Sequence, residues 1–367
     1  MATEPDATHA LRETLLFDWR EWNTAVAWRS SPALAIALGA GIAAGHPAAG
    51  LVAAGGAFTT GLGSLQRIRG SCILPMLLAA VGITFSTFVG SILGHQSVLL
   101  VLMAGLWSAA YALLTAMKGG TSWVGLQWTI FLLVASAFHT HPYQAMQRAA
   151  MVFAGGILQT LITALVVHRW RRRGPAPIQP PEPDTELHLN LDNLRRCTTL
   201  RVPVCLYGLR MALVVIASAE IDRHLNYLSG YWIPMTTLVV VRPDIYQTLT
   251  RGLMRVAGTV AGGWLAGLLA AYLHPSPTVL AVLVVFFAWG AFSLLKVNYS
   301  LYTLCLTAYI VFLLSLSGLP PATVVHRRAA YTLLGGAIAL LAYADVFLKT
   351  GRWLRQTGAR FTLRRAA

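Results

Sequence analysis

The sequence predicts an all-α membrane protein with about twelve transmembrane helices, arranged as two parallel six-helix repeats. The first observation behind this prediction is composition. Hydrophobic residues make up 56% of the 367 residues and charged residues only 11%, whereas soluble domains average about 25% charged residues. Most of the surface must therefore face lipid rather than water.

The second observation is an internal repeat. The segment 148–156 returns 180 residues later as 328–336, and both copies begin Arg-Ala-Ala and end Gly-Gly. A Phe-Leu-Leu tripeptide at 131–133 returns at 312–314, and Trp107 returns as Trp289. Because these matches keep their order along the chain, we infer a duplication of about 180 residues. Duplicated hydrophobic halves around a central site are typical of many membrane transporters.

Each repeat contains six apolar segments of a length that predicts membrane-spanning helices. In the first repeat, residues 31–168, the predicted spans are 31–45, 48–64, 72–92, 98–116, 121–138 and 148–168. In the second repeat, residues 201–348, they are 202–219, 230–241, 252–273, 278–295, 299–317 and 328–348. Because six is an even number, both repeats are expected to have the same orientation in the membrane.

The distribution of basic residues predicts which ends of the spans face the cytoplasm. If the N-terminus is cytoplasmic, 23 of the 28 Lys and Arg residues belong to the inner side. The outer loops then hold only four, namely Arg148, Arg223, Arg327 and Arg328. Basic residues favour the cytoplasmic side of a membrane. The sequence therefore predicts a multi-pass protein of the bacterial inner membrane with both termini in the cytoplasm.

Three segments lie outside the two repeats. Residues 1–30 carry apolar side chains at helical spacing and predict an amphipathic cytoplasmic helix, lying on the inner leaflet or packing against cytoplasmic loops. Residues 169–200 form a proline-rich cytoplasmic linker between the repeats, and residues 349–367 form a basic cytoplasmic tail.

Ionisable residues within spans are costly and are therefore candidates for function. Arg210 lies within the seventh span, where it either binds an anion or holds neighbouring helices by their carbonyl groups. Asp345 lies within the last span, four residues before Lys349, so it is either a proton-coupling group or the partner of that lysine. Glu220 and Asp222 at the outer end of the seventh span are further candidates for proton coupling.

The densest group of candidates flanks the turn between the eighth and ninth spans: Trp232, Thr236, Arg242, Arg251, Arg255 and Thr259. Arg251, Arg255 and Thr259 are spaced four apart, so they share one helix face. Planar guanidinium groups suit a carboxylate, and an aromatic side chain suits an aryl ring. The alternative is that the arginines only anchor the helix at the inner surface.

These residues belong to a longer pattern: Tyr231-Trp232-Ile233-Pro234, Arg242-Pro243-Asp244, Arg251, Arg255, Gly258, Thr259 and Gly262. The pattern resembles that of the fusaric acid resistance family, which includes bacterial aromatic acid exporters and is related to plant aluminium-activated malate transporters. The first repeat departs from it, because Gly61-Leu62-Gly63 stands where the arginine-proline-aspartate turn would fall. The resemblance implies efflux of aromatic carboxylic acids driven by a proton gradient, and pairing of two protomers as a homodimer.

We therefore predict an organic-anion transporter, with a passive anion channel of the same architecture as the alternative. A membrane-embedded enzyme is disfavoured, since the spans contain neither paired carboxylates nor a Cys/His cluster. The predicted partners are the lipid bilayer and a small organic anion. No cofactor, metal or nucleic acid is implied.

Overall fold

The computed structural model describes residues 16–115, 120–172, 203–225 and 229–343. These residues form twelve α-helices, as many as the predicted spans. The first half of the chain contains α1 (Thr24–Ala43), α2 (Pro47–Leu62), α3 (Ile73–Leu93), α4 (Val98–Leu114), α5 (Gly120–Ser136) and α6 (Pro142–Arg172). The second half contains α7 (Pro203–Leu225), α8 (Trp232–Val240), α9 (Ile245–Leu273), α10 (Pro277–Leu294), α11 (Tyr299–Leu316) and α12 (Pro321–Leu341).

The predicted all-α membrane fold is confirmed in its class. Within the described ranges, seven helices are long and apolar enough to cross a bilayer, namely α1, α2, α3, α6, α7, α9 and α10. Helices α4 and α11 are apolar but shorter. Large apolar side chains such as Phe85, Leu161 and Val282 are exposed on the outside of the bundle, where lipid would cover them.

Side chains at the helix starts explain where several helices begin. A side-chain oxygen of Asn23, Ser97, Asp244, Ser276 or Asn298 accepts a hydrogen bond from a backbone N–H in the first turn of the helix that follows. Asp244 belongs to the Arg-Pro-Asp turn, so one role of this turn is to cap α9.

Glycines let helices within each half approach closely. A Cβ atom at Gly258 or Gly262 of α9 would collide with backbone atoms of α11. In the first half, a Cβ atom at Gly56 of α2 would meet the backbone of α6 at Val152, and one at Gly155 of α6 would meet α2 at Ala53. These contacts are of the small-residue type common between membrane helices.

The two halves make corresponding helix contacts. In the first half, α3 packs on α5 and α6, and α2 packs on α1 and α6. In the second half, α9 packs on α11 and α12, and α8 packs on α7 and α12. The halves meet where α4 contacts α7 and where α10 contacts α1.

The prediction of one amphipathic helix before the first span is wrong for residues 16–23, and residues 24–29 belong to α1 itself. Among the described residues before α1, the one helical element is a short 3₁₀ turn, Trp19–Glu21, and Asn23 starts α1 by capping it. The backbone N–H groups of Asp18 and Asn23 donate to carbonyl groups of Val297 and Ser293. The segment therefore packs against the connection between α10 and α11, which was the alternative to lying on the leaflet.

Several helix boundaries also differ from the predicted spans, and α1 and α9 each begin seven residues before their predicted starts. α8 has nine residues, all buried, so at about 1.5 Å per residue it spans only about half of a bilayer. α6 begins at Pro142 and α12 at Pro321, six and seven residues before the predicted starts. Residues 173–202 and 344–367, which include most of the predicted linker and the tail, lie outside the described residues.

Candidate functional site

A cavity of about 630 Å³ lies between the two halves of the molecule. Its walls come from α2, α5 and α6 on one side and from α8, α9 and α11 on the other. Residues from Trp123 to Ala135 of α5 and from Tyr299 to Leu314 of α11 line it. The cavity therefore follows most of the length of two helices, about 18 Å along α5 and about 23 Å along α11, which is roughly two thirds of the thickness of a bilayer core.

The cavity wall is apolar and aromatic with a few basic groups. The basic residues that line it are Arg148, Arg251, Arg255 and Lys296. No Asp or Glu among the described residues lines it. An enclosed surface with this composition favours an anion that carries an apolar body.

Arg251 and Arg255 meet at one tyrosine. The Arg255 guanidinium is only 3% exposed, and its Nη1 donates to the Tyr299 hydroxyl at 3.4 Å. The Arg251 Cζ lies 3.5 Å from the centroid of the same ring. The Nε atoms of both arginines are buried without a hydrogen-bond partner. The predicted four-residue spacing thus brings two cations with free N–H groups to one point of the wall.

Arg242 lies at the end of α8, beside Arg251. Both arginines line a smaller cavity of about 400 Å³, together with Leu16 of the N-terminal segment. The Arg242 Nη1 donates to the Tyr111 hydroxyl of α4 at 3.1 Å. Arg242 therefore connects the two halves, and Arg251 lies between the small cavity and the large one.

Aromatic side chains from both halves form much of the large cavity wall. Trp232 and Tyr231 at the start of α8 line it. Phe58 of α2 stacks on Tyr309 of α11, with the ring centroids 4.4 Å apart. This pair joins the two halves within the cavity wall.

Three predicted binding residues lie away from both cavities. Arg210 of α7 packs over the Tyr343 ring, with its Cζ 4.3 Å from the centroid. Thr236 and Thr259 are buried, and their hydroxyl oxygens have no hydrogen-bond partner. The structure thus brings Trp232, Arg251 and Arg255 together at the large cavity, places Arg242 at its neighbour, and leaves the other three behind the walls.

The candidates for proton coupling differ in their burial and in their hydrogen-bond partners. Glu220 is paired with Arg223, whose Nε donates to Oε2 at 2.9 Å, and with His224, whose Nε2 lies 3.0 Å from Oε1. Asp222 is 4% exposed, and its Oδ1 has no hydrogen-bond partner. Neither residue lines the large cavity. Asp345 lies outside the described residues.

The prediction of outer loops is wrong for four arginines that lie within α6, α7 and α12, namely Arg148, Arg223, Arg327 and Arg328. Of these, Arg328 is the most deeply buried. Because α12 starts at Pro321, Arg328 lies in its second turn and is 1% exposed. Its Cζ is 5.1 Å from the Trp232 ring centroid, and its Nη2 donates to the Thr307 hydroxyl at 3.4 Å. The Pro320-Pro321 pair was an available signal, since proline favours the first turn of a helix.

The sequence also contained an unused signal for the tyrosine wall. Tyr299, Tyr302 and Tyr309 are spaced three and seven residues apart, which places them on one face of α11. All three line the cavity. Tyrosines at these spacings within an apolar span could have been identified as a polar stripe facing the interior.

The fold and the site define a helical membrane protein with a basic and aromatic cavity between its halves. Residues 211–342 match the profile of a family described as "Fusaric acid resistance protein-like". The predicted resemblance is therefore confirmed, over the part of the chain from α7 to α12 that carries the arginine cluster.

Similar proteins come from several bacteria. An uncharacterized protein of Haemophilus influenzae is 31% identical over 39% of this chain and 20% of its own length. An uncharacterized protein of Neisseria gonorrhoeae is 33% identical over 37% of this chain and 32% of its own. The uncharacterized membrane protein YvaC of Bacillus subtilis is 30% identical over 37% and 21%.

The chain thus matches only a fifth to a third of the length of these relatives. No solved structure matches it.

Proposed function

We propose that the protein transports organic anions, specifically aromatic carboxylic acids, outward across the bacterial inner membrane. The observation that carries this proposal is the large cavity, which combines aromatic walls with basic side chains and has no lining carboxylate in the described part of the chain. The family match supports it as well, since its description names resistance to an acid.

The arginine pair suits the carboxylate of such a substrate. Arg251 and Arg255 each have a buried N–H without a partner, and a carboxylate can accept two such bonds at once. The aryl ring would then lie against Trp232, Tyr302 or Phe58, which line the same cavity. Aromatic side chains stack favourably with a ring in an offset or edge-on geometry.

The transporter would be built from two parallel six-helix repeats, α1–α6 and α7–α12. Equivalent helices in such repeats, α3 and α9 for example, make equivalent contacts within their halves. The contacts between the halves also form an equivalent pair, α4 with α7 and α10 with α1. A substrate cavity between repeats allows alternating access by movement of one repeat against the other.

Proton coupling would use Asp222 rather than Glu220. The Glu220 carboxylate is held by two basic partners, whereas Asp222 is buried with a free oxygen. Protonation would remove the cost of burying its charge. Asp222 lies on α7, which packs on α8, a helix of the cavity wall, so a change in its charge would act on that wall.

A passive anion channel is the second candidate. The observation that favours it is the length of the cavity, which has Arg148 near one end and Lys296 near the other. A channel needs fixed positive charge along its path but no group that titrates during transport. The two candidates therefore differ in whether a pH gradient drives flux.

The orientation of the protein is proposed from its basic residues, with both termini in the cytoplasm, and two protomers would pair as a homodimer. Single cysteines in a cysteine-free background should label from outside at His95, His141 and His274. Cysteines at Arg67, Lys118, Gln179 and Lys296 should label only after permeabilisation. Labelling of the second set from outside would overturn the orientation.

Flux in proteoliposomes tests the function itself. Purified protein should move radiolabelled benzoate and other aryl carboxylates, and an imposed pH gradient should increase net flux. Equal flux with and without the gradient would favour the channel. Absence of aryl carboxylate flux from protein that is folded and correctly inserted would refute both candidates.

A further inference from the structure

Arg328 occupies a position that transport of a substrate through the large cavity does not explain. It is 1% exposed and does not line the large cavity. Its neighbours come from other helices of the second half, with Trp232 on α8 and Thr307 on α11. Burial of a guanidinium group is strongly unfavourable unless its charge and its N–H groups are compensated.

The compensation within the described residues is incomplete. The Trp232 ring faces the cation, and one nitrogen bonds to Thr307, but the Nε and Nη1 atoms of Arg328 have no partner. Every ion pair among the described residues involves Glu21 or Glu220. Neither Arg328 nor Arg255 therefore takes part in an ion pair there.

A second buried cation increases the demand for negative charge. Arg255 donates to Tyr299 and Arg328 donates to Thr307, so both buried cations contact α11, and the Arg255 Nε also lacks a partner. Hydroxyl groups without partners lie on the helices between them, at Thr259 of α9 and Thr303 of α11. The interface of α9, α11 and α12 thus collects positive charge and hydrogen-bond donors in one enclosed region.

We propose that Arg328, together with the hydroxyls of Thr303 and Thr307, forms an enclosed binding site for one small inorganic anion of the size of chloride. The Thr307 oxygen accepts a bond from Arg328, which leaves its proton for an anion. Guanidinium and hydroxyl groups are the donors that such an ion requires. A single negative charge beside Arg328 compensates its buried charge and holds Trp232 at the cavity wall through Arg328.

This site goes beyond the proposed transport function, because its occupant is a resident ion and not the transported aryl carboxylate. Ion binding is measured on the purified protein without any flux. Failure of one proposal is therefore distinguishable from failure of the other.

Thermal unfolding of the detergent-solubilised protein tests the site. Replacement of gluconate by chloride at constant ionic strength should raise the midpoint in a saturable manner, by a few degrees, because a ligand that binds only the folded state stabilises it. Arg328→Gln should remove this rise. Arg223→Gln, which removes an arginine paired with Glu220 at the end of α7, should keep it.

A second variant tests the same site if Arg328→Gln does not fold. Thr307→Val keeps the shape of the side chain and removes one donor, so at least about tenfold more chloride should be needed for the same rise. Bromide should also give an anomalous-scattering peak within hydrogen-bond distance of Arg328 in crystals.

Three results would overturn the proposal. The first is the absence of a chloride-dependent rise in the unfolding midpoint of the unmodified protein. The second is a rise in folded Arg328→Gln, or in Thr307→Val at the same chloride concentration, that equals the rise in the unmodified protein. The third is a rise produced equally by benzoate in competition with chloride, which would assign the site to the transported carboxylate.

Discussion

The two halves of the molecule place an arginine at the same point of the repeated segment and use it differently. Arg148 begins the segment in the first half, lines the large cavity and donates to the Phe138 carbonyl at 2.7 Å. Arg328 begins it in the second half, is fully buried, and faces Trp232 with two nitrogens unpartnered. The arginine of the first half is thus hydrogen-bonded to a nearby carbonyl group. The arginine of the second half is buried with two N–H groups unpaired.

The same division holds along the cavity. The first half contributes mainly apolar and aromatic wall with Arg148 as its basic group, and the second half contributes Arg251, Arg255 and Lys296. The family match also falls on the second half. If the halves arose by duplication, most of the basic residues of the cavity have become concentrated in the second, while the first supplies the opposite wall.

The largest expected effect comes from removing the central guanidinium. Arg255→Gln should lower aryl carboxylate flux by about 100-fold, since it removes a charge-assisted contact worth up to about 3 kcal/mol. Arg255→Lys should also lose most flux, because an ammonium group cannot make the bidentate contact. Initial rates in proteoliposomes measure both variants.

The matched change in the first half is Arg148→Gln, and we expect less than about a threefold loss, because this side chain is already bonded to a carbonyl group. Equal losses at Arg255 and Arg148 would show that both halves bind the anion alike. Normal flux in both Arg255 variants would place the substrate site elsewhere.

Replacing a closely packed glycine by alanine should destabilise the protein to a similar extent in the two halves. Gly155→Ala and Gly262→Ala add a methyl group against the backbone at Ala53 and Leu304, so each should lower the free energy of unfolding by about 1–3 kcal/mol. Gly39→Ala and Gly267→Ala are controls, because no atom lies within 4 Å of the added Cβ.

The controls should be unchanged or more stable, since alanine favours helix over glycine by up to about 1 kcal/mol. The fraction of folded protein after heating, measured by size-exclusion chromatography in detergent, compares all four variants. Stability loss confined to one half would mean that the halves are packed by different means.

A smaller effect is expected from the carboxyl groups at the end of α7. Asp222→Asn should abolish the several-fold increase in flux that a pH gradient produces, while exchange without a gradient continues. Glu220→Gln should keep the increase, because that carboxylate is already held by Arg223 and His224. Retention of the gradient effect in Asp222→Asn would remove Asp222 from the coupling path and leave Asp345 to be tested in the same assay.

The sequence predicted the positions of the helices better than the contacts inside the bundle. Apolar runs follow from the bilayer as solvent, so each predicted span overlaps one helix. The spacing of Arg251 and Arg255 also placed both on one face. Arg328 was missed because its helix starts earlier than hydropathy suggests, since three polar residues, His326, Arg327 and Arg328, obscure the first turns.

Contacts between distant elements could not be predicted from local patterns. The Phe58–Tyr309 stack and the bond from Arg242 to Tyr111 join the halves across more than 100 residues of chain. Arg210 carried the right charge within a span, yet it packs on Tyr343 because of the way α7 is rotated in the bundle. The side of a membrane helix that faces a cavity depends on its neighbours.

The most direct test of the central claim asks whether substrate passes through the cavity between the halves. Ile130 of α5 lines this cavity, and Tyr143 at the start of α6 is 75% exposed. In a cysteine-free background, a water-soluble thiol reagent should block aryl carboxylate flux in Ile130→Cys, and excess substrate should slow the block. The same reagent should modify Tyr143→Cys without loss of flux. Full flux through Ile130→Cys after complete modification would contradict the account.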